Sequence, residues 1–319
     1  MQEETITFQD EWDEMCPIFI EDDGSYEHIG TGVLINIWGN TYLLTAAHII
    51  DFKYINKEEL YIPNNNGKFI KIEGDLFHNP LTWNQKREDD KIDFSYYKLN
   101  KEMVIDVVKM FKPLVEKQLC FSTTFLSSVP VEYSKRIEEK RASNIKNSIR
   151  ESFKDMKTWD KDEVKYYHDL QIQNGITFAG YPLTKTKRHD SITRGELVYY
   201  HGGAVHNDIY KLERLNENIN ILAKFGKAGS YKEEIGFVSS PKPKGISGGG
   251  IYKIVRTENG FDRELIGIGH TYISKEHLFI GTNISYCLKL IKEQKLMPYE
   301  VYNRLNVITN TLAKLHLNK

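Results

Sequence analysis

From Cys16 to Leu99 the apolar residues come in short runs that Gly, Asn and Pro keep interrupting, with no long amphipathic helix between them. That punctuation constrains the fold more than any other feature. A run of about four to eight apolar and β-branched residues bounded by turn formers suits a strand and is too short for a helix. Residues 16–20, 32–38, 41–45, 60–62, 68–72 and 92–99 read as strands, and Gly39-Asn40 between two of them is a hairpin signal. The same pattern returns at 170–173, 175–179, 196–200, 265–268 and 279–284. The 12% aromatic content, with 19 Tyr, fits pleated surfaces. Successive strands without crossover helices predict an antiparallel sandwich or barrel rather than a βαβ fold.

The two strand-rich blocks are separated by a segment of different character. Residues 101–112 place Met103, Val104, Val107, Val108 and Phe111 at helical spacing, and Pro113 ends the pattern. Residues 131–169 are heavily charged, with Ile137, Ile145, Ile149, Phe153 and Met156 as a thin apolar stripe. This reads as a solvated helical insertion, since a charge-laced helix face is usually wet; a docking surface for a protein partner is the alternative. A last helix is expected from Pro298 to His316, its seam formed by Val301, Leu305, Ile308, Leu312 and Leu315. The chain thus divides into β-rich residues 1–100, an insertion at 101–170, a second β-rich block at 171–290 and a C-terminal helix at 291–319.

Charge excludes some classes of partner. The 43 Lys and Arg balance 44 Asp and Glu, for a net charge of −1, so the basic excess of a nucleic-acid binder is missing. The Lys/Arg-rich stretch 135–157 is interspersed with Glu and Asp, which argues against an RNA or DNA surface there. No run approaches the ~20 apolar residues that cross a bilayer, so no membrane partner is expected. Glu3, Glu4, Asp10 and Glu11 stand where a secretory signal would be basic and then apolar. Three distant cysteines, Cys16, Cys120 and Cys287, do not make a disulfide framework and read as small buried hydrophobes. The expectation is a cytoplasmic protein without cofactor or metal.

Three short segments carry chemistry. Leu44-Thr-Ala-Ala-His48 places a His at the end of an apolar strand; Asp93 opens Asp-Phe-Ser-Tyr-Tyr-Lys-Leu99; and Gly245-Ile-Ser-Gly-Gly-Gly250 sets Ser247 in a glycine-rich turn. Each alone has a bland reading, as a core histidine or a simple turn. The glycine run also lacks the Lys-Ser/Thr ending of a phosphate loop. Together they supply what acyl transfer needs. A serine hydroxyl requires an imidazole to take its proton, and the imidazole requires a buried carboxylate to fix its tautomer. The developing oxyanion requires backbone donors, here the N–H groups of Gly245 and Ser247. Asp93 is preferred to Asp89 and Asp90 because it begins an alternating strand and can point inward, whereas those two lie in a charged turn read as solvated.

The order His, Asp, Ser is that of chymotrypsin-type enzymes. The chain resembles the trypsin/chymotrypsin-like serine peptidases, in particular the bacterial trypsin-like and HtrA-type members. Thr45-Ala-Ala-His48, Asp93-Phe-Ser-Tyr-Tyr-Lys-Leu99 and Gly245-Ile-Ser-Gly-Gly249 resemble the motifs of the catalytic residues. Gly30-Thr-Gly-Val-Leu-Ile35 resembles the strand that precedes the histidine motif and Phe178-Ala-Gly-Tyr-Pro182 the strand that opens the second barrel, while Leu265-Ile-Gly-Ile-Gly269 and Phe279-Ile-Gly-Thr282 resemble the pocket walls. The resemblance implies a mainly all-β fold of two antiparallel six-stranded β-barrels of chymotrypsin type, with a helical insertion and a C-terminal helix. It implies a serine endopeptidase acting on a protein or peptide substrate, with His48, Asp93 and Ser247 as triad. The chain departs from the family at Ile246, where secreted members often carry an acid that captures a new N-terminal ammonium, and at Gly250, where proline is common. The pocket base falls six positions before the serine, 247 − 6 = 241, which is Pro241, with Gly269, His270 and Thr271 on the wall. No carboxylate at 241 and the nearby Lys242 and Lys244 imply little cleavage after Lys or Arg. The competing reading is a catalytically silent peptide-binding module of the same fold. An activating protein partner would use the 101–170 insertion or the C-terminal helix.

Overall fold

The structure, a computed structural model, describes residues 5–9, 13–56, 59–64, 68–79, 87, 90–121, 175–183, 186–189, 192–204, 210–211, 213–225, 230–232, 236–238, 242–257, 260–275, 277–301 and 304. The strand expected at 170–173 and the charged stretch 131–169 lie outside these residues, as does most of the tail; residues 299–301 and 304 are helical.

The first half of the chain contains β1 (Thr5–Gln9), β2 (Met15–Asp22), β3 (Ser25–Ile37), β4 (Asn40–Thr45), α1 (Ala47–Asn56), β5 (Leu60–Pro63), β6 (Phe69–Lys71), β7 (Gly74–His78), β8 (Ser95–Leu99), α2 (Lys101–Val107) and β9 (Leu114–Val115). The second contains β10 (Gly175–Gly180), β11 (Thr186–His189), β12 (Ile192–Glu196), β13 (Val198–Ala204), β14 (Asn220–Phe225), β15 (Ser230–Lys232), β16 (Gly236–Val238), β17 (Gly250–Thr257), β18 (Gly260–Ile273), β19 (Leu278–Asn283), α3 (Ile284–Lys292) and β20 (Met297–Pro298).

The second half closes into a barrel in the order β10-β13-β14-β19-β18-β17, with β10 pairing β17 to seal it. The first half is a curved sheet in the order β20-β7-β8-β4-β3-β2-β5-β6, with β9 added to β3. Closure into six strands is met by the second half. The first is a half-barrel whose edge strands β6 and β20 are not joined to each other among the described residues. The fold is mainly β, a double-barrel arrangement of chymotrypsin type.

The strands of the first half are continuous apolar runs rather than alternating ones because both of their faces are covered. Val33, Ile35 and Ile37 of β3, Tyr42 and Leu44 of β4 and Tyr96 of β8 point into a core shared with Tyr181, Tyr252, Leu265 and α3 residues of the other half. Their neighbours Leu34, Leu43, Tyr97 and Leu99 point into a separate core lined by Ile18, Ile50 and Met103. That is the period of two of a pleated strand. The shared core welds the halves together and puts the ends of β4 and β8 at their junction. The β3–β4 hairpin turns at Trp38 and Gly39, with φ +52° and +71°, so Ile37 pairs with Asn40 and the turn sits one residue earlier than the Gly39-Asn40 signal suggests. Asn40 Nδ2 donates to the Trp38 carbonyl at 3.0 Å, which holds an aromatic residue in the left-handed region.

Both chain ends cross the junction. β1 pairs in parallel with β12 of the second half, and β20 pairs with β7 of the first. An ion pair adds a further tie: Arg263 of β18 holds Glu14, 2% exposed, through Nη2–Oε2 at 2.9 Å and Nε–Oε1 at 3.2 Å. Glu14→Ala removes both carboxylate contacts from the part-buried guanidinium. The full penalty for breaking a buried pair is about 3–5 kcal/mol; Arg263 is 25% exposed, so about 2 kcal/mol is expected in urea unfolding. A loss below ~0.5 kcal/mol would show that the pair does not join the halves.

Candidate active site

β4 ends at Thr45, and Ala46 and Ala47 are fully buried. Small side chains let the first turn of α1 pack directly against the sheet. His48 is therefore the second residue of that helix, where backbone N–H groups have no partner within the helix. Asp93 supplies the missing acceptor. Its Oδ1 accepts the His48 backbone N–H at 2.9 Å, and its Oδ2 lies 2.6 Å from His48 Nδ1. Since a carboxylate only accepts, Nδ1 carries the proton and Nε2 is left as the basic nitrogen.

The segment carrying Asp93 is pinned from both halves. Asn79 Nδ2 donates to the Ile92 carbonyl, and Asn220 Nδ2, at the start of β14, donates to the Lys91 carbonyl at 2.6 Å. Asp93 is 2% exposed and the His48 side chain 33% exposed, so the carboxylate is sealed while the ring keeps an open side. Burial acts to raise the Asp93 pKa, but the charge and hydrogen bond of His48, then His270 and Arg87, hold it well below the usual carboxylate range. Burial acts to lower the His48 pKa, but the charge and hydrogen bond of Asp93, with Asp51 beyond, raise it above 6.5.

Ser247 lies in the turn between Lys242 and β17. Gly245 and Gly248 adopt φ +94° and +84°, a region that side chains rarely enter. A Cβ at Gly248 would collide with the Thr31 carbonyl and the Thr45 hydroxyl, so the Ser247 turn lies directly against the strand end that leads to His48. Peptide planarity then fixes the donors. Leu183 N–H donates to the Lys244 carbonyl at 2.8 Å, and Gly249 N–H to the Ile246 carbonyl at 2.9 Å. In a trans peptide the N–H points opposite to the C=O, so these two bonds aim the Gly245 and Ser247 N–H groups away from their own anchors. Among the described residues neither N–H donates to a backbone carbonyl.

Thr31 ties this turn to the first half. Its N–H donates to the Ser247 carbonyl at 2.8 Å, and its hydroxyl donates to the Gly245 carbonyl at 3.4 Å and accepts the Tyr181 N–H at 3.0 Å. The Ser247 hydroxyl donates to the His270 carbonyl at 3.1 Å. A nucleophile–base hydrogen bond often tightens only with substrate bound. The His270 ring, 2% exposed, lies 4.0 Å from Asp93 Oδ2 and 2.9 Å from Thr271 Oγ1, while its Nε2 has no hydrogen-bond partner among the described residues.

The structure thus gathers His48, Asp93, Gly245 and Ser247 at the junction of the halves. Of the expected pocket, Pro241 lies outside the described residues, and Thr271 is half-buried. His270 faces Asp93 rather than open solvent, and Gly269 packs on the Phe178 ring. Lys242 and Lys244 are exposed, so they point to solvent instead of charging a pocket. Ile246 is buried in the barrel core, against Gly180, where no ammonium could be met. Asp90, read as solvated, is instead bound by Arg87 at 2.6 Å and half-buried. The sequence reading passed over Thr31, Asp51, His78 and Arg87. None of them carried a motif of its own, and Asp51 comes onto the His48 face only through helix α1. Among the described residues no group of three or more His, Cys, Asp or Glu is placed to hold a metal ion.

No family profile matches the chain, and no curated protein does. Among solved structures, the Vibrio cholerae VesB protease is similar at a TM-score of 0.48 and 15% identity, covering 89% of this chain and 64% of that one. The likeness assigns no activity. No described helix is long and apolar enough to cross a membrane.

The dyad has a definite pH signature. Asp93 is depressed, so its contribution to stability is present above the ordinary 3.8 and lost as pH falls through the lower folded value. His48 is raised, so its contribution is present below 6.5 and lost as pH rises through the higher folded value. A neutral base at Nε2 therefore requires a pH above 6.5. Titration of the His48 ring by NMR should give a midpoint above 6.5, and Asp93→Asn should bring it below that of the wild type. An unchanged midpoint would mean that Asp93 does not govern the ring.

Proposed function

We propose that the chain is a serine endopeptidase that cleaves a protein substrate through an acyl-enzyme. The observation that carries this reading is the double grip of Asp93 on His48, beside a serine turn whose two N–H groups are aimed by their neighbours. Ser247 Oγ attacks the scissile carbonyl carbon while His48 Nε2 takes the hydroxyl proton. The carbonyl electron pair moves onto oxygen, where the Gly245 and Ser247 N–H groups receive it; losing one such donor costs about 10²–10³ in turnover. Collapse breaks the C–N bond, and His48 returns the proton to the leaving amine. Water then repeats the sequence on the ester, freeing the acid and Ser247.

Cleavage after Lys or Arg is not expected, since the position six before Ser247 is Pro241 rather than a carboxylate. Three cysteines far apart in sequence, Cys16 and Cys287 of them buried, support a reducing, cytoplasmic setting. Ile246, buried among apolar neighbours, supports activity without capture of a new N-terminus. A regulatory or defence role, and activation by a protein bound at the 101–170 insertion or the C-terminal helix, are parts of the same proposal.

Labelling with a fluorophosphonate tests it. The wild type should label at Ser247, Ser247→Ala should not, and His48→Ala should slow the reaction by about 10³ or more. In cleavage assays the double variant should be little worse than Ser247→Ala, because the residues act as one unit. A folded protein that does not label, or labels equally without His48, would point instead to a silent peptide-binding module.

A further inference from the structure

Behind the dyad lies a second charged cluster that acyl transfer does not use. Asp51 follows His48 by one turn of α1. Arg87 grips it at two points, Nε–Oδ2 at 2.6 Å and Nη2–Oδ1 at 2.8 Å, while Nη1 reaches Asp90 Oδ2 at 2.6 Å. Asp90 in turn accepts the Ile92 N–H at 3.0 Å and an Asn79 amide hydrogen at 3.1 Å, one residue before Asp93. His78 of β7, fully buried, completes the ring: its Nε2 lies 2.9 Å from Asp51 Oδ1 and its Nδ1 2.8 Å from Ser95 Oγ. Because the carboxylate only accepts, His78 Nε2 carries a proton. Ser95 is fully buried, so this Ser–His–Asp chain is closed to any substrate.

The cluster connects every element that carries the dyad: α1 through Asp51, the turn before Asp93 through Asp90, β8 through Ser95 and β7 through His78. A forked guanidinium between two carboxylates is a stiff connector, since planarity fixes both bonds at once. Bonds this short at groups 10–17% exposed cannot exchange freely with water. We propose that Asp51, clamped by Arg87 and His78, is a positioning carboxylate for the general base: it locks the His48 helix onto the Asp93 strand and holds a second negative charge behind the imidazole. This rests on the peptidase reading for its catalytic meaning, though not for its geometry.

The charged groups that act on the His48 ring are Asp93 from the turn before β8, Asp51 from its own helix and Arg87 from the clamp. His270 from β18 faces Asp93 and is held low by burial, so it is neutral near pH 7. Asp51 and Arg87 therefore pull the ring in opposite directions. Removing the carboxylate should lower the His48 midpoint, and removing the guanidinium should raise it. For a partly screened charge about one helical turn away, each displacement should be roughly half a pH unit.

The test is an NMR titration of the His48 ring in the full chain, in the wild type, Asp51→Asn and Arg87→Gln, with the pH dependence of fluorophosphonate labelling recorded on the same samples. Opposite displacements, followed by the acid limb of labelling, support the proposal. Arg87→Lys keeps the charge and should keep the wild-type midpoint, while Arg87→Met removes it and serves as the charge test if Arg87→Gln does not fold. Displacements in the same direction, or none, would overturn it, because a purely structural clamp would slow labelling without moving the two midpoints apart. Opposite displacements in a chain whose Ser247 does not label would overturn the peptidase reading and leave the clamp standing.

Discussion

Everything at the junction of the two halves depends on one carboxylate. Asp93 satisfies a helix N–H and a ring N–H of the same residue, with one oxygen for each. The backbone bond fixes where His48 begins its helix, and the ring bond fixes which nitrogen is basic. Neither would hold if the carboxylate were wet, for water would compete for both oxygens. Burying a charge is costly unless it is paired and hydrogen-bonded, and the structure meets that condition with the two His48 donors, one on each oxygen, and with Arg87 farther out.

The nucleophile turn is organised by a different device. Its donors are aimed through the carbonyls of the neighbouring peptides, which are tied to Leu183 and Gly249. Thr31 then fastens the carbonyls of Gly245 and Ser247 to β3. The turn belongs to the second half by sequence, but the first half holds it by hydrogen bonds. Such a site costs little reorganisation when charge develops, because its dipoles are already oriented. It also explains why Gly248 has no room for a side chain: the strand end leading to His48 occupies that space.

Much of this was legible in the sequence, and what was not has a physical cause. The motif residues carry their own local constraints, a strand end, an inward aspartate and a glycine turn, so His48, Asp93 and Ser247 stood out together and in order. The apolar runs around Leu34 and Leu43 announced strands, and the structure shows that both of their faces are buried. Helix α1 was not foreseen, because its apolar residues show no clear period, and with it went the relation between His48 and Asp51. The clamp of Arg87, Asp90 and His78 joins residues that are remote in sequence and individually unremarkable. The α3 helix, which fills the shared core with Cys287, Leu288 and Ile291, was hidden by its direct start at the end of β19. That the His270 ring turns toward Asp93 was not legible, since the sequence could not tell which side of β18 at its bulge, between Gly269 and Thr271, would face it.

The proposed chemistry requires two aimed N–H groups and one oriented imidazole to converge on Ser247 Oγ. A crystal structure of the chain after reaction with a peptidyl diphenyl phosphonate measures that convergence directly. The account predicts phosphorus bonded to Ser247 Oγ and one phosphonyl oxygen about 2.7–3.1 Å from both the Gly245 and Ser247 nitrogens. His48 Nε2 should lie within hydrogen-bond reach of the adduct, with the ring still held by Asp93. A phosphonyl oxygen facing solvent, or an adduct on another residue, would contradict it.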